Sequence, residues 1–169
     1  MNWQMITGIT GVIVASCAII ISIWQGMVNR KHNRMSVRPH LTTWRQIDPS
    51  NGYYQVDLIN NGIGPALIEK FCVKVDGKVL PGAELEVIET AMKILFPNNA
   101  YTLGKAYVGK GYAMAPKERC TIVSVQFLEK PGPSIETVEH ALLRRADLEI
   151  TYTSFYGERF ELETEKLKA

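Results

Sequence analysis

The first 29 residues contain no lysine, arginine, aspartate or glutamate. A stretch that long without charge does not read as a solvated surface element, because it holds no ionised group and its few polar side chains are spread along an apolar run. Cysteine is scarce as well. Of three, Cys17 lies in the charge-free stretch, and neither Cys72 nor Cys120 belongs to a C-x-x-C pair, which excludes a disulfide-dense scaffold and a cysteine zinc site. Both read as thiols in a reducing compartment, whereas a Cys72–Cys120 disulfide would imply the opposite membrane topology. The three histidines are scattered: His32 beside the charge-free stretch, His40 on a strand and His140 on a helix. No metal-ligand spacing follows from them. The serines show no nucleophile-elbow pattern, and Glu84, Glu86 and Glu89 read as a solvated helix face with no base beside them. The chain is therefore expected to be no enzyme and to hold no cofactor or metal.

Within the charge-free stretch, Met5 to Val28 is apolar enough for a transmembrane helix, since about 20 residues at about 1.5 Å each span a core of roughly 30 Å. Trp3 and Trp24 stand where interfacial rings belong. A signal peptide would need a basic n-region and a shorter apolar core. Val14-Ala15-Ser16-Cys17 resembles a lipoprotein lipobox, but the apolar Ala18-Ile19-Ile20-Ile21 stands where such a chain turns polar. Gly8, Gly11, Ala15, Ala18, Ser22 and Gly26 share one helical face, and small residues let membrane helices approach closely, so a homo-oligomer is expected.

Charge sets the orientation. Arg30, Lys31, Arg34, Arg38 and Arg45 precede the first acid, Asp48. The positive-inside rule places the N-terminus outside the inner membrane and the rest in the cytoplasm, with Arg30, Lys31, Arg34 and Arg38 able to touch lipid headgroups. Setting those five residues aside leaves 14 of the 19 basic side chains against 17 acidic ones, a formal charge of −3. A mildly acidic domain argues against nucleic acid as a partner. The organisation expected is a transmembrane helix over 1–28, a basic juxtamembrane connector over 29–37 that can continue the helix, and a cytoplasmic domain over 38–169.

Beyond Pro39 the hydrophobic period becomes two. Tyr54, Val56 and Leu58 alternate with Gln55 and Asp57, which predicts a half-buried strand. Asn60-Asn61-Gly62-Ile63-Gly64-Pro65 predicts a structural turn with Gly62 or Gly64 at positive φ. Phe71, Val73 and Val75 face inward on a second strand, and Asp76-Gly77 signals a hairpin into Lys78-Val79-Leu80. Leu85, Ile88, Met92 and Leu95 repeat at helical spacing up to Pro97. Residues 100–118 lack clear periodicity. A strand follows over Cys120 to Phe127 with Val123, Val125 and Phe127 on one face. Ser134 then caps a helix carrying Ile135, Val138 and Leu142, and a hairpin turns near Tyr156-Gly157-Glu158.

This pattern predicts an antiparallel β-sandwich with two helical insertions. The turns Asn60-Asn61-Gly62-Ile63-Gly64-Pro65-Ala66 and Tyr152-x-x-x-Tyr156-Gly157 resemble those of uncharacterised bacterial single-pass membrane proteins with an immunoglobulin-like domain. The resemblance implies a fold and no activity.

One stretch invites a chemical reading. Gly104-Lys105-Ala106-Tyr107-Val108-Gly109-Lys110-Gly111 follows a phosphate-binding loop until its last position, where Gly111 replaces the Ser or Thr that holds Mg²⁺. Tyr101, Lys105, Tyr107, Lys110 and Tyr112 remain candidates for a small anionic ligand such as a nucleotide. Two functions are thus expected. One is a scaffold whose β-domain binds a partner protein. The alternative is a membrane effector, for example in antiphage defence, whose domain senses an anionic signal and reorganises the helices.

Overall fold

With no Gly or Pro between Met27 and Ser36 to stop it, the apolar stretch and the basic connector run together as one helix, α1, Trp3–Ser36. The computed structural model describes residues 3–82, 85–106, 108–129 and 132–163. Glu84, Tyr107 and the tail from 164 to 169 lie outside them. The chain divides into two units, Met1–Val37 and Arg38–Ala169.

In the first unit, 34 helical residues extend about 50 Å, more than a bilayer core needs. The hydroxyls of Thr10, Ser16 and Ser22 donate to the carbonyls of Ile6, Val12 and Ala18 at 2.8–2.9 Å. Those side chains ask nothing of their surroundings, which is the condition for lying in lipid. By length and composition α1 is compatible with a membrane anchor or a signal sequence.

The second unit is a mostly antiparallel β-domain. Its first sheet has the order β1 (Leu41–Asp48), β2 (Tyr53–Asn60), β7 (Arg119–Phe127), β5 (Tyr101–Lys105). The second has the order β4 (Lys78–Val79), β3 (Ala66–Val75), β8 (Ala146–Thr153), β9 (Arg159–Glu163), with β6 (Ala113–Met114) also on β3. Leu41, Leu58 and Ile122 of the first sheet share a core with Ile68, Ile150 and Tyr152 of the second. Helix α2 (Leu85–Leu95) buries Ile88, Ala91, Met92 and Leu95, the helical spacing expected of it. Helix α3 (Ile135–Glu139) begins at Ser134, whose Oγ accepts from the Thr137 amide at 3.2 Å, and continues as a π-helical turn over His140–Arg145. Around Phe127, the rings of Phe96, Tyr54 and Tyr101 pack edge-on at 5.1, 5.7 and 6.2 Å.

At Asp76-Gly77 both residues have positive φ, +52° and +78°, the type I′ geometry that matches strand twist. At the other proposed turn the expectation is corrected. Neither Gly62 nor Gly64 is among the glycines with positive φ. Gly62 is instead pressed against backbone: a Cβ there would lie 2.4 Å from Arg38 O and His40 N. His40 itself precedes β1 rather than belonging to it.

Residues 100–118, where no periodicity marked a strand, contain β5 and β6. On β7, the register steps from Val56↔Val123 to Asp57↔Thr121, so Ile122 is an extra residue and the inward face changes parity there. Val125 and Phe127 are buried as expected, and Ile122 joins them.

Asp57, read from the alternation as facing solvent, has no exposed surface. It accepts from Gln55 Nε2, Thr121 Oγ1 and Arg119 Nε, each at 2.7 Å. Burial pushes its carboxyl up, but these bonds and the Arg119 charge outweigh that and hold it below the ordinary aspartate value.

Candidate functional site

Pro39 forces extended backbone at the entry to β1, and side chains then alternate across the strand. Leu41 points into the core, so Thr43 and Arg45, two and four residues on, follow it inward. Trp44 between them is 58% exposed. Thr43 sits opposite Leu58 and Arg45 opposite Val56. An inward arginine is an unusual element of a sandwich interior.

Arg45 and Thr43 stand at a cavity of about 90 Å³ between the two sheets. Val56, Phe71, Val73 and Leu148 line it from the strands, and Ile88 and Met92 from α2. Asp147 contributes to the same wall and has interactions of its own. Among the described residues, the Arg45 side chain forms no ion pair or hydrogen bond, whereas Arg119, Arg145 and Arg38 all meet carboxylates. Burial lowers its pKa with no counter-charge to offset the effect. A guanidinium remains protonated even so, and the result is a fixed cation beside an apolar hollow. Such a hollow can hold an apolar group while the guanidinium's paired N–H donors receive an anion.

No family model matches the chain, and no curated protein matches it.

The residues singled out from sequence do not converge on this cavity. Tyr101 is a core ring against Phe127. Lys105 is ion-paired with Glu89. Tyr112 donates to Glu118, and that bond, with burial second, pushes its phenol well above the ordinary value. Lys110 is exposed. Tyr101 packs against one core cluster and Tyr112 against the other, so no common anion site forms from those described. No group of three or more His, Cys, Asp or Glu able to hold a metal occurs among the described residues.

On α1, Gly11, Ala15 and Ala18 floor a shallow groove flanked by Ile6, Thr10 and Val14. Around Gly8, Gly11 and Gly26 nothing lies within 4 Å of a would-be Cβ. Arg30, Lys31 and Arg34 are exposed on the last turns of α1. Arg38 belongs to the β-domain, where its guanidinium lies 4.9 Å from the Phe160 ring centroid and 3.7 Å from Glu158. Gly62, Gly64 and Pro65 form the loop closed by Asn60.

Sequence reasoning missed Arg45 as a site residue, counting it with the basic flank of the helix. The available signal was its place in register with Leu41 at intervals of two. Without apolar residues at 43 and 45, that register carried no hydrophobic pattern.

Proposed function

We propose that this is a single-pass membrane protein whose helix self-associates and whose cytoplasmic β-domain is a non-enzymatic binding module. The observation that carries the reading is α1: a charge-free helix from Trp3 to Asn29, with its internal hydroxyls returned to its own backbone, ahead of a domain with its own core. Orientation rests on Arg30, Lys31 and Arg34 following the apolar stretch with no basic residue before it.

The immunoglobulin-like assignment belongs to the same proposal. Strand orders β1-β2-β7-β5 and β4-β3-β8-β9 correspond to the A-B-E-D and C-F-G sheets of a constant-type domain, with β4 as an added strand. The inter-sheet disulfide of antibody domains has no counterpart, since Cys72 and Cys120 are free.

Self-association follows from Gly8, Gly11, Ala15, Ala18, Ser22 and Gly26 on one face, where close backbone contact replaces the hydrophobic force missing in lipid. Replacing Ala15 and Ala18 with Leu fills the groove and is expected to lower dimerisation in a bilayer association assay at least tenfold. Equal signals from the wild type and the double variant would refute self-association through this face.

Partner binding by the β-domain, in the manner of a scaffold, is the leading use of the module. A second reading, in which the domain senses an anionic signal and rearranges the helices, is favoured by the lone guanidinium of Arg45 at the inter-sheet cavity.

A further inference from the structure

We infer that the inter-sheet cavity is a binding site for a small organic monoanion, a short branched-chain carboxylate whose apolar end fills the hollow and whose carboxylate meets Arg45. The inference deepens the reading of the β-domain as a binding module and rests on it.

Three features fix the ligand class. Arg45 is half-buried and its side chain has no partner among the described residues, and a carboxylate receiving two parallel N–H bonds offsets the desolvation this imposes. No side chain among the described residues performs this role for Arg45. Next, the walls from Val56, Phe71, Val73, Ile88, Met92 and Leu148 offer the ligand's body only dispersion contacts. A cavity of about 150 Å³ accepts benzene, so the roughly 90 Å³ here suits a smaller branched group of about three or four carbons. Finally, Arg45 is the one cation among the described residues lining the cavity and balances a single negative charge, which suits a monoanion better than a dicarboxylate. Thr43 adds a hydroxyl at the mouth.

Arg45 also has a simpler role open to it. Strand β1 is the edge of its sheet, and inward-pointing charges guard such edges against pairing with other chains. That role requires no ligand, so the two accounts separate experimentally.

The test is calorimetric titration of the full-length chain, purified in detergent, with 3-methylbutanoate, its neutral amide, and acetate. Saturable binding of 3-methylbutanoate is expected, with at least tenfold weaker binding of the amide and of acetate. Arg45→Gln is expected to lose at least tenfold in affinity, and Ala91→Leu, at a position of α2 that lines the hollow and where leucine fills it, to lose binding. Independently of any variant, methyl NMR signals of Ile88 and Val73 should shift on titration of the wild type. No heat and no methyl shift with 3-methylbutanoate overturns the proposal. Equal binding of acid and amide, or undiminished binding by a folded Arg45→Gln chain, also overturns it and leaves Arg45 as an edge guard. Because binding is read on purified protein, its failure leaves the membrane reading standing. A chain that binds the acid but does not integrate into membranes refutes only that reading.

Discussion

Asn60→Ala is expected to lower the unfolding free energy of the β-domain by about 3–5 kcal/mol, the largest single loss predicted here. Asn60 has no exposed surface. Its Oδ1 accepts from the His40 amide at 3.1 Å and the Gly62 amide at 3.0 Å. Its Nδ2 donates to Gly64 O at 2.8 Å and Ala115 O at 3.1 Å, with Met114 O farther at 3.4 Å. One side chain thus joins three segments that are remote in sequence, and each bond contributes roughly 1 kcal/mol net. Truncation also leaves buried amides and carbonyls without partners, so the loss exceeds that of an ordinary surface polar residue. Chemical denaturation, with the midpoint and slope measured separately, reads the effect. A change below about 1 kcal/mol would contradict the clamp.

Asn60→Asp gives the same position a pH signature. An aspartate keeps the acceptor for His40 and Gly62 but sets a carboxylate oxygen against carbonyl oxygens. Its folded pKa therefore lies above the unfolded value of about 3.9. The variant is least unstable below that unfolded value, where the acid is protonated in both states. It loses stability as pH rises through the folded pKa.

Gly62→Ala is expected to cost about 2–4 kcal/mol, against about 1 kcal/mol for Gly77→Ala. The two glycines serve different physical needs. Gly77 has φ +78° and open space around a would-be Cβ, so alanine there suffers only the left-handed backbone penalty. At Gly62 the obstacles are Arg38 O, His40 N and, at 2.6 Å, Pro39 Cα. These are main-chain atoms, with His40 N held by Asn60 Oδ1 and Arg38 O by the Ile63 and Gly64 amides, and they cannot rotate aside as a side chain would. Thermal denaturation of both variants checks the ranking. If Gly77→Ala proves the more destabilising, close approach is not what position 62 requires.

The same pair of glycines shows how far the sequence could be read. Asp76-Gly77 announces its hairpin because the need is local: two adjacent residues must take positive φ, and these two tolerate it. The need at Gly62 arises from residues 38–40, on the far side of β1, and no local pattern encodes it. Leu85, Ile88, Met92 and Leu95 disclosed α2 through helical spacing, and Ser134 disclosed the start of α3 through its cap. Strand β5 escaped because only Tyr101 and Leu103 alternate across five residues at a sheet edge, and β6 has just two residues. The bulge at Ile122 reverses facing within one strand, which a fixed period cannot represent. Asp57 was assigned to solvent by alternation. Its burial depends on Arg119 and Thr121, contributed by a strand some sixty residues later.

At the candidate site the legible part is smaller. Charge and aromatic content drew attention to Lys105, Lys110 and Tyr112, yet Lys105 and Tyr112 are satisfied by Glu89 and Glu118. Whether a cation is available depends on its partners in three dimensions. Arg45 became a candidate only when its strand register and the cavity beside it were known.

Paired reporter fusions measure the topology of α1 directly. Alkaline phosphatase and green fluorescent protein are each joined after Ala169 of the full chain and expressed in bacteria, and membranes are separated from soluble protein. The predicted result is fluorescence in the membrane fraction, resistant to alkaline extraction, with phosphatase activity near background. Phosphatase activity matching a periplasmic control, or fluorescence released by alkaline extraction, would contradict a membrane-anchored protein with a cytoplasmic β-domain.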